Sequence, residues 1–189
     1  MEGLKKIELL IASKQSVFTT QDLGLIWQIS NKRKLFEIIK YYLRSKRLQP
    51  IYKGLYILPE VRIPSPNEIA QKLISFSYIS LSTALTFHGI NFQYDSAVYS
   101  VSLASRRYKI NSQIYIYHKI KDTVLFNQAG LENKTTYMIA SPERAVCDTL
   151  YFFPDWSFDN LNKINKDNLL ELSTIYLNKK LEQRIKKLC

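Results

Sequence analysis

Cysteine and histidine are both scarce in this chain: 189 residues hold two of each, Cys147, Cys189, His88 and His118. Two cysteines are too few for a disulfide framework, and four scattered Cys and His residues form no ligand set at zinc spacing. The sequence therefore predicts reduced chemistry with no metal and no cofactor. Long apolar runs are missing as well. Nothing approaches the roughly 18 consecutive apolar residues that span a bilayer. The start, MEGLKKIELLIASK, spaces its charges along the segment instead of setting a basic patch before an unbroken apolar block. A cytoplasmic protein with no membrane partner is the expectation. Apolar side chains in total are not lacking: 46% hydrophobic and 23% charged residues suit one or two globular domains with real cores, and argue against disorder.

Acidic residues are the other shortage. Sixteen Asp and Glu face 27 Lys and Arg, a net charge of +11 with a pI near 9.6. Such a balance favours a polyanionic partner such as nucleic acid over a neutral small molecule. The excess is concentrated: residues 1 to 62 hold twelve Lys and Arg against five Asp and Glu, a net of +7 in a third of the chain.

Periodicity in that third predicts three helices and a hairpin. Leu4, Ile7, Leu10 and Ile11 fall at helical spacing, and Thr19 or Thr20 offers an N-cap for a short second helix. A third helix, opened by Ser30, sets Leu35, Ile38, Ile39, Tyr42 and Leu43 on one face and projects Arg33, Lys34, Glu37, Lys40, Tyr41 and Arg44 elsewhere. In LQPIYKGLYILP two β-prone runs are interrupted at Lys53-Gly54, where glycine allows a tight turn. Together these predict a winged helix-turn-helix over residues 1–62 that binds double-stranded DNA. Arg33 and Lys34 sit where base edges would be read, Lys40, Arg44 and the wing-tip Lys53 suit the phosphates, and Lys32 and Tyr41 complete the expected DNA-binding set. A winged helix can also dock protein alone, which remains a weaker alternative.

The stretch VRIPSPNEIA marks a boundary, with a second domain expected over 66–189. Its sequence predicts a helix from Asn67 to about Phe76 and a second over SYISLSTALTFHGI, closed at His88-Gly89. Two β runs follow, AVYSVSLAS and QIYIYHKI, parted by a basic connection whose Arg106, Arg107 and Lys109 form a possible second patch for phosphates or an acidic protein. After the strand TTYMIA, Ser141 and Pro142 read as the cap and first residue of a helix, with Glu143 at the positive end of its dipole. Arg144 and Asp148 can pair at i,i+4, while Ala145, Val146, Leu150 and Phe153 form the apolar stripe and Cys147 packs. The fold class is α+β: a winged helix-turn-helix, then a mixed domain with helices around a small sheet. The tail from residue 154 reads as one or two amphipathic helices.

The order of these pieces, KGLYILP, PNEIA, YISLSTALTFHGI, IYIYHKI and ASPERAVCDTLYF, resembles the AbiEi family of type IV toxin-antitoxin systems over the chain up to about residue 153. The resemblance implies a non-enzymatic transcriptional repressor that binds its own promoter, and a C-terminal domain that counteracts a nucleotidyltransferase-like toxin. The competing function is a metal-dependent nucleic-acid-processing enzyme with a winged-helix targeting domain, in which Glu143 and Asp148, joined by Asp95 or Asp122, would gather around a divalent ion.

Overall fold

A computed structural model describes residues 2–59, 63–93 and 95–188, with side chains from residue 5 onward. Met1, Glu60, Val61, Arg62, Tyr94 and Cys189 lie outside the described residues, as does the side chain of Leu4. The expected domain end at residue 62 thus falls outside them too. The chain forms two compact units, residues 1–73 and 74–189.

In the first unit, α1 (Glu2–Ala12), β1 (Val17–Thr19), α2 (Thr20–Ile26) and α3 (Lys32–Arg44) precede a hairpin of β2 (Gln49–Tyr52) and β3 (Leu55–Ile57). The three strands form an antiparallel sheet in the order β1-β3-β2. Thr19 caps α2 through a capping box: its hydroxyl accepts from the Asp22 N–H at 3.0 Å, and the Asp22 carboxylate accepts from the Thr19 N–H at 2.8 Å. The core gathers Leu10, Phe18, Leu23, Trp27, Leu35, Ile39, Tyr42, Leu48, Tyr56 and Leu58, with Ile7, Ile38 and Leu43 partly buried against it. Ile11, expected on the inner face of α1, is instead 42% exposed.

The helix α4 (Pro66–Leu73), opened by Ser65, whose hydroxyl accepts from the Glu68 N–H at 3.3 Å, belongs to this first unit and does not begin the second. Glu68, buried, is the reason. Its carboxylate accepts from the backbone N–H groups of Ser16 at 2.8 Å and Val17 at 3.1 Å, and from the Ser16 hydroxyl. Lys72 adds an ion pair to Asp22 at 2.8 Å and a bond to Gln15. The loop before β1 therefore has its orphan donors satisfied by a residue about fifty positions later.

The second unit holds β4 (Ser77–Ile79), α5 (Leu81–Phe87), β5 (Val98–Ser102), β6 (Arg106–Ile110), β7 (Gln113–Lys119), α6 (Asp122–Leu125), β8 (Leu131–Asn133), β9 (Met138–Ala140), α7 (Pro142–Phe152), α8 (Lys166–Thr174) and α9 (Lys179–Leu188). Its six-stranded mixed sheet runs β6-β7-β5-β4-β9-β8. Residues 77–79, read as the start of a helix, form the strand β4 near the middle of the sheet, antiparallel to β5 and parallel to β9. All three are buried, so the strand shows no alternation to betray it. The basic stretch RRYKI is likewise a strand, not a connection: β6 pairs antiparallel with β7 across a turn in which Asn111 takes φ 54°. The runs on either side of it, β5 and β7, lie parallel and adjacent.

Ser141 caps α7 by accepting from the Arg144 N–H at 3.2 Å, with Pro142 in the first turn. This helix is buried continuously from Arg144 to Leu150 because α5, β9, α8 and α9 all pack on it. Phe153, expected in its apolar stripe, sits at the C-cap and is 37% exposed. Among the described residues no helix is long and apolar enough to cross a membrane.

Candidate nucleic-acid interface

Helix α3 is capped by Asn31, not by Ser30: the Asn31 side chain accepts from the Lys34 N–H at 3.1 Å. The cap starts the helix at Lys32, so that Leu35, Ile39 and Tyr42 point into the core while Lys32, Arg33, Lys34, Lys40, Tyr41 and Arg44 are all exposed. Helical spacing puts Arg33, Glu37, Lys40 and Arg44 on one outward ridge opposite Leu35 and Ile39. Lys34 and Tyr41 flank the ridge on one side, and Phe36 flanks it on the other at 48% exposure. The Lys34 and Tyr41 flank borders an open groove of about 560 Å³ against Lys6 and Trp27. The exposed position of Phe36 was not legible in the sequence. Its only signal was an apolar residue off the apolar phase of the helix.

Glu37 pairs with Lys40 at 2.9 Å, both side chains being well exposed. The hydrogen bond and charge of Lys40, with Arg44 adding to them, hold the Glu37 carboxyl below its ordinary value. Lys53 is exposed at the β2–β3 turn, where Gly54 adopts φ 72° and its carbonyl accepts from the Thr20 N–H at 3.0 Å, fixing the turn to the start of α2. Of the sites predicted in this unit, all seven side chains lie on its surface.

In the second unit, Arg106, Arg107 and Lys109 are exposed on β6, an edge strand. Alternation places Arg107 and Lys109 on one face and Arg106 on the other, so the three do not form a single cluster. The Arg106 guanidinium donates to the Ser105 carbonyl at 3.0 Å.

The acids that a metal-dependent reaction would need are held apart. Asp148 is fully buried, accepting from the hydroxyls of Tyr176 at 2.6 Å, Ser80 at 2.7 Å and Tyr78 at 3.1 Å. Burial raises its pKa, against the pull of the Arg144 charge and those three donors. Arg144, also fully buried, donates to the carbonyls of Val124 and Ala129, both at 2.7 Å, of Asn127 at 3.4 Å, and to the Tyr78 hydroxyl at 3.2 Å. Its Nε has no hydrogen-bond partner and faces Asp148 at 3.8 Å, while the rings of Tyr78 and Tyr176 flank the guanidinium. The predicted i,i+4 pair is present, but as an interior pin instead of a surface contact.

Glu143 accepts from the Ser141 hydroxyl and the Asn165 N–H, and Asp122 from the Thr123 N–H. Asp95 accepts from the Ala97 N–H at 2.8 Å and the Tyr99 hydroxyl at 2.6 Å, bonds that lower its pKa. No three His, Cys, Asp or Glu side chains come together as a metal site among the described residues. His88 ends α5 with its ring Nε2 2.8 Å from the Ala140 carbonyl oxygen. His118 packs among Tyr99, Phe152 and Phe153, and burial lowers its pKa. Cys147 is buried, its thiol directed at the Leu169 carbonyl.

No protein-family model matches the chain, and no curated protein matches its sequence. Among solved structures the chain is similar to the RV2827C protein from Mycobacterium tuberculosis. The TM-score is 0.54 at 13% identity, with 96% of this chain and 74% of that one covered, a likeness that concerns the fold alone.

Proposed function

We propose that residues 1–73 form a winged helix-turn-helix that places α3 in the major groove of B-DNA, with the β2–β3 turn as its wing. The observation that carries this reading is the outward face of α3. Five of its thirteen residues are cations, all exposed, on a helix anchored by Leu35, Ile39 and Tyr42 and followed by a hairpin with Lys53 at its turn. A helix of this kind fits the major groove, where its first turns meet base edges while lysines and arginines hold phosphates. Arg33 and Lys34 take the reading positions, and Lys40, Arg44 and Lys53 the phosphates. The resemblance to the AbiEi family extends this to a repressor of its own toxin-antitoxin operon, with the second unit opposing a nucleotidyltransferase-like toxin.

The test is binding of the full chain to the DNA upstream of its gene between 50 and 200 mM salt. Three phosphate contacts give a log–log salt slope near −3, and Lys53→Ala reduces it by about one. Binding that ignores salt, or no binding at all, refutes the reading. Rescue of cell growth by this protein, when the product of an adjacent nucleotidyltransferase-like gene is expressed, tests the antitoxin role separately.

A further inference from the structure

We propose that Glu37 sets base specificity, its carboxylate accepting a hydrogen bond from the exocyclic N4 amino group of one cytosine in the major groove. The inference rests on the DNA-binding reading above. Glu37 is the sole acid among the thirteen residues of α3, and it sits in the middle of the ridge made by Arg33, Lys40 and Arg44, on the face most remote from Leu35 and Ile39. An acid there repels the phosphates of every DNA sequence alike, so its presence lowers general affinity. A donor on a base edge offsets that repulsion, and it does so at a particular base pair.

Cytosine is the base whose major-groove edge offers a donor without an adjacent acceptor. Adenine sets its N6 donor beside the N7 acceptor, an arrangement suited to an amide and unfavourable to a carboxylate. The Glu37 carboxyl is held ionised by Lys40 and Arg44, as an acceptor must be. Its 2.9 Å ion pair with Lys40 is exposed on both sides and therefore weak, so Lys40 can exchange Glu37 for a phosphate as the helix enters the groove. Arg33 lies one turn nearer the helix start, where a guanidinium bidentate to guanine would read a neighbouring pair.

The rival explanation is that Glu37 merely tempers the positive charge of α3. Selection from a random duplex library with the full-length wild type, Glu37→Gln and Glu37→Ala separates the two, with circular dichroism confirming the fold of each. Specific reading predicts a site in which one C·G pair is strongly enriched by the wild type. Glu37→Gln then loses on the order of tenfold discrimination at that pair and moves toward A·T, while the other positions keep their preferences. If both variants select the same base at every position as the wild type and bind all sequences more tightly, Glu37 is a charge moderator and the inference fails. A wild type that selects no DNA overturns the DNA-binding reading itself, and this inference with it.

Discussion

Replacing Arg144 by methionine removes the donor to four oxygens and leaves Asp148 facing only hydroxyls. The side-chain volume is roughly kept, so the cost is polar in origin. The carbonyls of Val124, Ala129 and Asn127 lose their guanidinium, the Tyr78 hydroxyl loses an N–H donor, and a fully buried carboxylate loses its counter-charge. Breaking one side of a buried ion pair costs about 3–5 kcal/mol. Protonation of Asp148 is the escape: burial already holds its pKa up, and removal of Arg144 lifts it further. A carboxyl whose folded pKa is raised favours the folded state below its unfolded pKa, and that stability is lost as pH rises through the folded value. The penalty of Arg144→Met should therefore shrink as pH falls from 7 toward 4, and Arg144→Met/Asp148→Asn should cost less than the sum of the two single changes. Guanidinium unfolding in a Trp27→Phe background lets Trp156 report the second unit alone, which matters because two units need not unfold in one transition. A cost under about 1 kcal/mol, or strict additivity in the double variant, would refute the view that the pair acts as an interior pin.

Three further changes probe separate links. Glu68→Ala strands the Ser16 and Val17 N–H groups and should destabilise the first unit by about 2–4 kcal/mol, read by Trp27 fluorescence in a Trp156→Phe background. A fragment ending at residue 62 should show the same defect, and one ending at 73 should not. Gly130 has φ 71°, and a Cβ there would lie 2.9 Å from Arg144 Cβ and 3.0 Å from Leu172 Cδ1, so Gly130→Ala should cost about 1–3 kcal/mol in thermal unfolding. Burial raises the Tyr115 pKa to about 12, so the folded chain keeps a proton that the unfolded chain loses above pH 10. Tyr115 should then contribute about 2–3 kcal/mol of the stability lost from pH 10 to 12, and Tyr115→Phe should remove that share of the decline.

What the sequence disclosed was mostly local. The apolar phase of α3, the cap and proline that start α7, and the glycine at the β2–β3 turn are decided by residues within four positions of one another. Strands β1 and β4 escaped because each is three residues long, with every β4 residue buried, so no period of two can be heard. Strand β6 escaped for the opposite reason: at a sheet edge its cations meet solvent, and a run of charge looks like a loop until its pairing with β7 is known.

Charged residues show where local reading stops and why. Glu37 and Glu68 are the same residue type on amphipathic helices of the same unit, yet one is exposed and the other buried. The difference lies in donors presented by Ser16 and Val17, which no window around residue 68 contains. Arg144 and Asp148 repeat the lesson, since Val124, Ala129, Tyr78, Ser80 and Tyr176 supply what makes their burial possible. A charge whose partners come from distant segments is being used to hold the fold. Among the described residues the ridge cations of α3 have no such distant partners: Lys40 is joined to Glu37 within the same helix turn, and Arg33 and Arg44 extend along the same exposed face. The proposed polyanionic partner would account for five cations kept on one exposed helix at the cost of mutual repulsion, so the proposal rests on α3 and not on the buried acids of α7.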